Sequence, residues 1–138
     1  MVDRTRLPIV WSIAGQDSAG GAGLSADQRA ADAMGVHLCP VVACITAQNS
    51  MGVKAIFPVS PAQLEAQLQA LAQDMPPAAI KTGLLGDAAL VEVVAACVQG
   101  LRALNPSLPL VIDPVLGASA GGAAFSNDDV LEAYRRHL

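Results

Sequence analysis

Two hydrophobic periodicities alternate along the chain. "PIVWSIA" is a near-continuous apolar run that predicts a buried strand ending near Ala14, and "LSADQRAADAMG" after it reads as a small helix. Ser25 and Gln28 have the spacing of a capping box for that helix, and Gly35 is placed to end it. "LCPVVACITA" is a second continuous apolar run, of the kind found in a parallel sheet covered on both faces.

A short strand, "VKAIFPV", precedes "SPAQLEAQLQALAQDM". There Ser60 can cap, Pro61 suits the first helical position, and Leu64, Leu68, Leu71 and Met75 form one apolar stripe. "AIKTG" is a brief strand. "DAALVEVVAACVQGLRAL" is a helix with Val91, Val94 or Ala95, and Val98 inward, and "LPLVIDPV" is another strand. "SNDDVLEAYRRHL" predicts a capped helix beginning near Ser126. Strand and helix in regular alternation predict an α/β layer: a parallel sheet, right-handed crossovers, helices on its faces, and all strands pointing their carboxyl ends one way.

Composition narrows the class. With 138 residues, the chain fits one domain with a substantial core. Hydrophobic residues make up 53% and charged residues 14%, which excludes a disordered chain, and 3% aromatics leave the core to aliphatic and alanine packing. A net charge of −4 without a basic cluster or aromatic ladder argues against nucleic acid as a partner. Cys39, Cys44 and Cys97 form no CxxC pair and read as small core residues in a reducing cytoplasm, while His37 and His137 read as structural or surface residues. No apolar stretch reaches the length of a membrane span, and no export signal is visible.

In open α/β sheets, ligands sit outside the carboxyl ends of the strands. Four predicted strand ends run into "AGQDSAGGAG", "TAQNSMG", "KTGLLG" and "DPVLGASAGG", whereas the opposite turns, such as "NPSLP", are ordinary. One rim therefore collects groups that bind and glycines that admit a ligand to the backbone. The first of these loops is a candidate phosphate cradle, substrate floor or tight corner. Gly15 and Gly20 have the first spacing of a P-loop, but Gly21 stands where Lys is required. Gly21 and Gly23 begin a GxGxxG, but Ala26 takes the third place. A triphosphate cradle or dinucleotide floor is disfavoured.

Three polar residues on this rim have two readings each. Asp27, in the first turn of the following helix, either matches the helix dipole or aims a carboxylate at the rim. Gln48 offers donors and acceptors suited to a heteroaromatic edge, or makes a local loop bond. Asp113 before Pro114 orients Mg²⁺ or phosphate, or fixes the turn.

The four loops in order, "IAGQDSAGGAGLSAD", "TAQNSMGV", "KTGLLG" and "DPVLGASAGG", resemble the successive motifs of hydroxymethylpyrimidine and phosphomethylpyrimidine kinases. These are thiamine-biosynthesis members of the ribokinase-like superfamily. The resemblance covers nearly the whole chain and implies a three-layer ribokinase-like fold, here incomplete, with residues 1–138 as the N-terminal part of a single kinase domain. The implied reaction is transfer of the ATP γ-phosphoryl group, with Mg²⁺, to 4-amino-5-hydroxymethyl-2-methylpyrimidine and then to its monophosphate.

Carried over by residue, Gly15 and Ala22 would line the pyrimidine pocket, Asp27 would lie at it, Gln48 would read the ring's polar edge, and Val115 would add apolar contact. Leu84 stands where such kinases often have Met, and Asp113 would lie toward Mg²⁺ and phosphate. The loop lacks the Pro often found after the Asp. The family's anion hole, catalytic Cys or Asp and most of the adenine pocket belong to a second half, so the catalytic group is expected outside this chain, which reads as a truncated piece, inactive alone. Pyridoxal kinase activity and a non-catalytic pyrimidine-binding module are the alternatives. An uncovered sheet edge and family precedent point to a homodimer.

Overall fold

The computed structural model describes residues 7–117 and 127–138. Its elements are β1 (Ile9–Asp17), α1 (Gly23–Met34), β2 (His37–Asn49), β3 (Gly52–Pro58), α2 (Pro61–Asp74), β4 (Ala79–Thr82), α3 (Ala88–Leu104), β5 (Leu110–Ile112) and α4 (Asp128–His137). The five strands form one sheet in the order β3-β2-β1-β4-β5. β1 pairs in parallel with both β2 and β4, and β4 pairs in parallel with β5. The connection leaving β1 leads through α1 to β2 on one side of the central strand, and the one leaving β3 leads through α2 to β4 on the other, which makes the carboxyl end of β1 a switch point where a crevice opens.

Strand alternation sends side chains to two faces. Trp11, Ile13, Val41 and Ile80 enter the main core with Leu64 and Leu68 of α2, Leu90, Val91, Val94 and Val98 of α3, and Val130 and Ala133 of α4. Ser12 and Ala14 face α1 instead, so the sheet lies between α1 on one side and three helices on the other. Trp11 is fully buried, and its indole N–H is satisfied by the Met75 carbonyl at 2.9 Å.

The caps follow the sequence in most places. Ser60 and Gln63 complete a reciprocal capping box on α2 with Pro61 in the first turn, and Asp87 caps α3 through the Ala89 N–H. Gly35 ends α1 at φ 65°, where a side chain would be strained. Asn127 caps α4 by accepting from Val130 N–H; the predicted start at Ser126 lies outside the described residues.

Three expectations are corrected. Not all strands run one way: β3 folds back antiparallel on β2 through the turn at 50–51, because a short connection cannot return a parallel strand. β1 continues past Ala14 to Asp17, because its glycine-bearing end still pairs with β2. Ser25 and Gln28 form no capping box: α1 starts at Gly23 with Ala22 at the cap position, and Ser25 Oγ instead accepts from Gln16 Nε2 at 2.9 Å.

The edge of β2 that β3 leaves open is closed by a side chain. Gln67 of α2 accepts from Val42 N–H at 2.9 Å through Oε1, and donates from Nε2 to Val42 O at 3.0 Å. One amide thus pairs both backbone groups of Val42, as a neighbouring strand would.

Candidate functional site

The carboxyl ends of β1, β2 and β4 and the turn after β5 enclose a cavity of about 750 Å³. Its walls include Gly15, Ala22, Gln48, Leu84, Asp113 and Val115, six of the seven residues singled out from the sequence. A second cavity, of about 720 Å³, lies between α3 and the end of α4 among Glu92, Arg102 and Arg136, away from the strand ends. The motif residues converge on the first.

The glycine loop shows how the chain builds that cavity. Asp17, at the end of β1, is 4% exposed and turns its carboxylate back into the loop. Oδ1 accepts from Ala19 N–H at 2.8 Å, and Oδ2 accepts from Gly21 and Ala22 N–H at 3.0 and 2.9 Å. Successive N–H groups converging on one point form an anion nest of the kind that holds phosphates. Here the protein's own carboxylate occupies it, so this loop is a wall and not a phosphate cradle.

Close approach explains the glycines. A Cβ on Gly23, at φ 56°, would meet the Gly15 carbonyl oxygen at 2.2 Å, and a Cβ on Gly15 would meet Cys44 Sγ at 2.9 Å and Leu84 Cδ2 at 3.4 Å. Register shifts fall between Ala14 and Gly15 and between Ala47 and Gln48. Such bulges re-aim side chains at the rim of a sheet, and both flank cavity residues.

Gln48 is half-buried and fixed at both ends. Ser18 Oγ donates to its carbonyl at 2.7 Å and accepts from its N–H at 2.8 Å. Its side-chain Oε1 accepts from Thr46 Oγ1 at 3.2 Å, and Nε2 has no partner among the described residues. The donor end of the amide is therefore available to a ligand.

Asp27 behaves differently from the other six. Its Oδ2 accepts from Ser12 Oγ at 2.6 Å and from Lys81 Nζ at 2.8 Å, and it is not among the residues lining the cavity. The ammonium of Lys81 lies within 3.1 Å of where a Gly83 Cβ would stand, so the pair sits just beneath the wall formed by Gly83 and Ala14. Neither the dipole reading nor the rim reading of Asp27 included this partner, which lies 54 residues away.

On the far side, Asp113 N–H donates to Thr82 O at 3.0 Å, and Val115 N–H donates to Asp113 O at 2.9 Å, which sets the turn. The Tyr134 hydroxyl donates to Gly83 O at 3.3 Å and so ties α4 to the cavity wall. Burial, with the charge of Asp113 and the thiol of Cys44 adding to it, pushes the Tyr134 phenol up to about 12. Burial pushes the Cys44 thiol up to about 11, so this cysteine at the wall is a neutral filler and not a nucleophile.

Asp17, Ser18, Thr46, Lys81 and Tyr134 were not assigned to the site from the sequence. Asp17 had a readable signal, since an Asp before Ser-Ala-Gly-Gly is placed to bond its own turn. The other partners are distant in sequence. Among the described residues, no three or more His, Cys, Asp and Glu side chains converge on a metal site. Mg²⁺ is commonly held by one or two carboxylates plus phosphate oxygens, so exposed Asp113 fits as one ligand beside a bound phosphate.

Comparison with known proteins agrees with this geometry. The family model for phosphomethylpyrimidine kinase matches residues 17–138. The chain is 41% identical over 132 residues to the hydroxymethylpyrimidine/phosphomethylpyrimidine kinase of Synechococcus elongatus, covering 96% of this chain and 48% of that protein. It is 44% identical over 131 residues to the enzyme of that name from Mycobacterium tuberculosis, covering 95% of this chain and 46% of that one. The chain thus spans about half the length of these relatives.

Among solved structures, it superimposes on phosphomethylpyrimidine kinase from Clostridium difficile with a TM-score of 0.83 at 29% identity, covering 95% of this chain and 55% of that one. Pyridoxal kinase from Staphylococcus aureus, in complex with AMP-PCP and pyridoxal, gives 0.79 at 25% identity, covering 96% and 45%. The mostly parallel α/β sheet is that of the ribokinase-like kinases.

Proposed function

The chain belongs to the phosphomethylpyrimidine kinase family, and on that premise we propose that its cavity binds 4-amino-5-hydroxymethyl-2-methylpyrimidine for phosphorylation by ATP in thiamine biosynthesis. The observation that carries this reading is the half-buried Gln48 amide in the cavity wall, whose donor end has no partner among the described residues, beside a glycine loop whose own N–H nest is filled by Asp17. Gly15 and Ala22 would give the ring access to backbone, Leu84 and Val115 would pack on its faces, and Gln48 would bond its polar edge. Asp27 would act from beneath the wall, through its pair with Lys81.

In the transfer, the 5-hydroxymethyl oxygen forms the new bond to the γ-phosphorus, the bond to the departing ADP oxygen breaks, and the hydroxyl proton goes to a base. A second transfer onto the monophosphate gives the diphosphate. Asp113 would hold Mg²⁺ with the phosphates, and the ion would supply charge neutralisation there. With the nest filled by Asp17, the phosphates need other donors, and we assign these and the base to the part of the kinase domain beyond this chain. In this reading residues 1–138 are the N-terminal part of one such domain, inactive alone.

Free thiols at Cys39, Cys44 and Cys97 support a reducing, cytoplasmic location. No helix among the described residues is long and apolar enough to cross a membrane. Ile45 and Phe57, cross-strand neighbours at the β3 edge that are 54% and 59% exposed, support a homodimer, which sedimentation would show. The pyridoxal kinase structures favour a second reading, pyridoxal as substrate.

Calorimetry tests the assignment. The free pyrimidine should bind the wild-type protein more tightly than pyridoxal does, and Gln48→Ala should lose about 1 to 3 kcal/mol of that affinity. An unchanged affinity would remove Gln48 from the site, and tighter binding of pyridoxal would move the reading to the second substrate.

A further inference from the structure

We infer that Lys81 is a positioning residue for the pyrimidine site: through its ion pair with Asp27 it fixes the spacing of two cavity walls, and neither charge touches the ligand. This rests on the pyrimidine reading above and adds the residue that holds that site in shape. Ser12 and Lys81 are register partners on β1 and β4, so their side chains stand side by side on one face of the sheet. Asp27 of α1 meets both with a single oxygen: Oδ2 accepts from Ser12 Oγ at 2.6 Å and from Lys81 Nζ at 2.8 Å.

The ammonium reaches the first wall. Gly83 has no side chain to keep it away: a Cβ there would stand 3.1 Å from Lys81 Nζ and 2.9 Å from Ala14 Cβ, and Gly83 and Ala14 both line the cavity. The carboxylate governs the second wall. α1 begins at Gly23, which packs on the Gly15 carbonyl, and Asp27 lies about one turn further along the same helix. Where Asp27 is held therefore decides where Ala22 and Gly23, which also line the cavity, stand.

Nothing else makes this link. α1 packs on β1 and β2, and among the described residues the side-chain bond that joins it to β4 is the one from Lys81. A salt bridge 27% and 23% exposed adds little to stability, because water screens it and two long side chains lose freedom. Its effect on geometry is larger: Ser12, 1% exposed, holds Asp27 Oδ2 on one side, and Nζ is lodged against Gly83 on the other. Asp27 and Lys81 do not line the cavity, so a ligand meets Gly83 and Ala14 and not the charges behind them.

The test is calorimetry of the full-length protein with 4-amino-5-hydroxymethyl-2-methylpyrimidine in a double-mutant cycle. Lys81→Met removes the charge from a side chain of similar length, and it should weaken binding by about 2- to 30-fold, the range over which residues that do not touch a ligand change its affinity. Asp27→Asn should weaken it by a similar factor, and the two together by no more than the larger single loss, because one tie can be broken only once. If Asp27 touches the ligand, its substitution costs affinity again in the Lys81→Met background, and multiplied losses overturn the inference. A merely structural pair lowers the urea midpoint and leaves the affinity of the folded protein unchanged, which overturns it too.

If the pyrimidine does not bind wild type, the pyrimidine reading itself fails and takes this inference with it. NMR of the wild-type protein is independent of how well the variants fold. When the pyrimidine is added, the Gly83 amide resonance should shift and the Asp27 ¹³Cγ resonance should keep its place. A carboxyl resonance that moves as the ligand binds, or a Gly83 amide that does not, refutes the positioning role.

Discussion

Replacing Asp17 tests the reason for assigning the glycine loop to a wall. Asp17→Ala removes three charge-assisted hydrogen bonds of 2.8 to 3.0 Å and leaves the N–H groups of Ala19, Gly21 and Ala22 facing an empty centre. Such bonds contribute about 1.5 to 3 kcal/mol each when no water replaces them. Ala19, Gly21 and Ala22 are all exposed, so water recovers much of that, and a net loss of about 2 to 4 kcal/mol is expected. Urea unfolding followed by Trp11 fluorescence should show the midpoint falling by about 1 to 2 M, given typical denaturant slopes. The emptied nest should also gain what the wild type lacks: inorganic phosphate should restore part of the Asp17→Ala midpoint and shift the amide resonances of residues 19–22. The reasoning is refuted if the variant unfolds with the wild-type midpoint, or if phosphate shifts those resonances equally in the wild type.

Three other measurements follow from the fold. Gln67→Ala should leave both backbone groups of Val42 unpaired and cost about 1 to 3 kcal/mol, with faster hydrogen exchange at the Val42 amide as the local sign. Gly23→Ala should disrupt the start of α1, because its Cβ would stand 2.2 Å from a carbonyl oxygen that the sheet holds in place; calorimetry should show lost pyrimidine binding, unlike Gly35→Ala at the far end of the helix. Tyr134 is the chain's one tyrosine, so absorbance reports its ionisation cleanly: the midpoint should lie near 12 folded and near 10 in urea. Because the folded state keeps that proton longer, the stability it adds is complete below pH 10 and lost as pH rises toward 12, and Tyr134→Phe should flatten that slope.

What the sequence disclosed depended on how far apart the interacting residues lie. The α2 capping box, the buried stripes of α2 and α3 and the collection of loops on one rim are local patterns, and they were legible. The direction of β3 was not, because an apolar run has the same period whichever way its strand points. Ser25 and Gln28 had a cap's spacing, but where a helix begins depends on contacts beyond it: here Gly23 packs on Gly15. Asp27 drew attention as an acid in a first turn, yet its surroundings are set by Lys81, 54 residues away, and Ser12 on β1. Thr46 lies inside an apolar run and carries no local mark of what its hydroxyl meets across the sheet.

The paired bonds between Ser18 and the Gln48 backbone also bear on time. A hydroxyl that both gives and receives at one residue joins the loop after β1 to the end of β2, so the two walls share their fluctuations. Opening one wall alone would have to break both bonds, so residues 18 and 48 are expected to sample an open state in step, which relaxation-dispersion NMR of the two amides would show as one exchange rate.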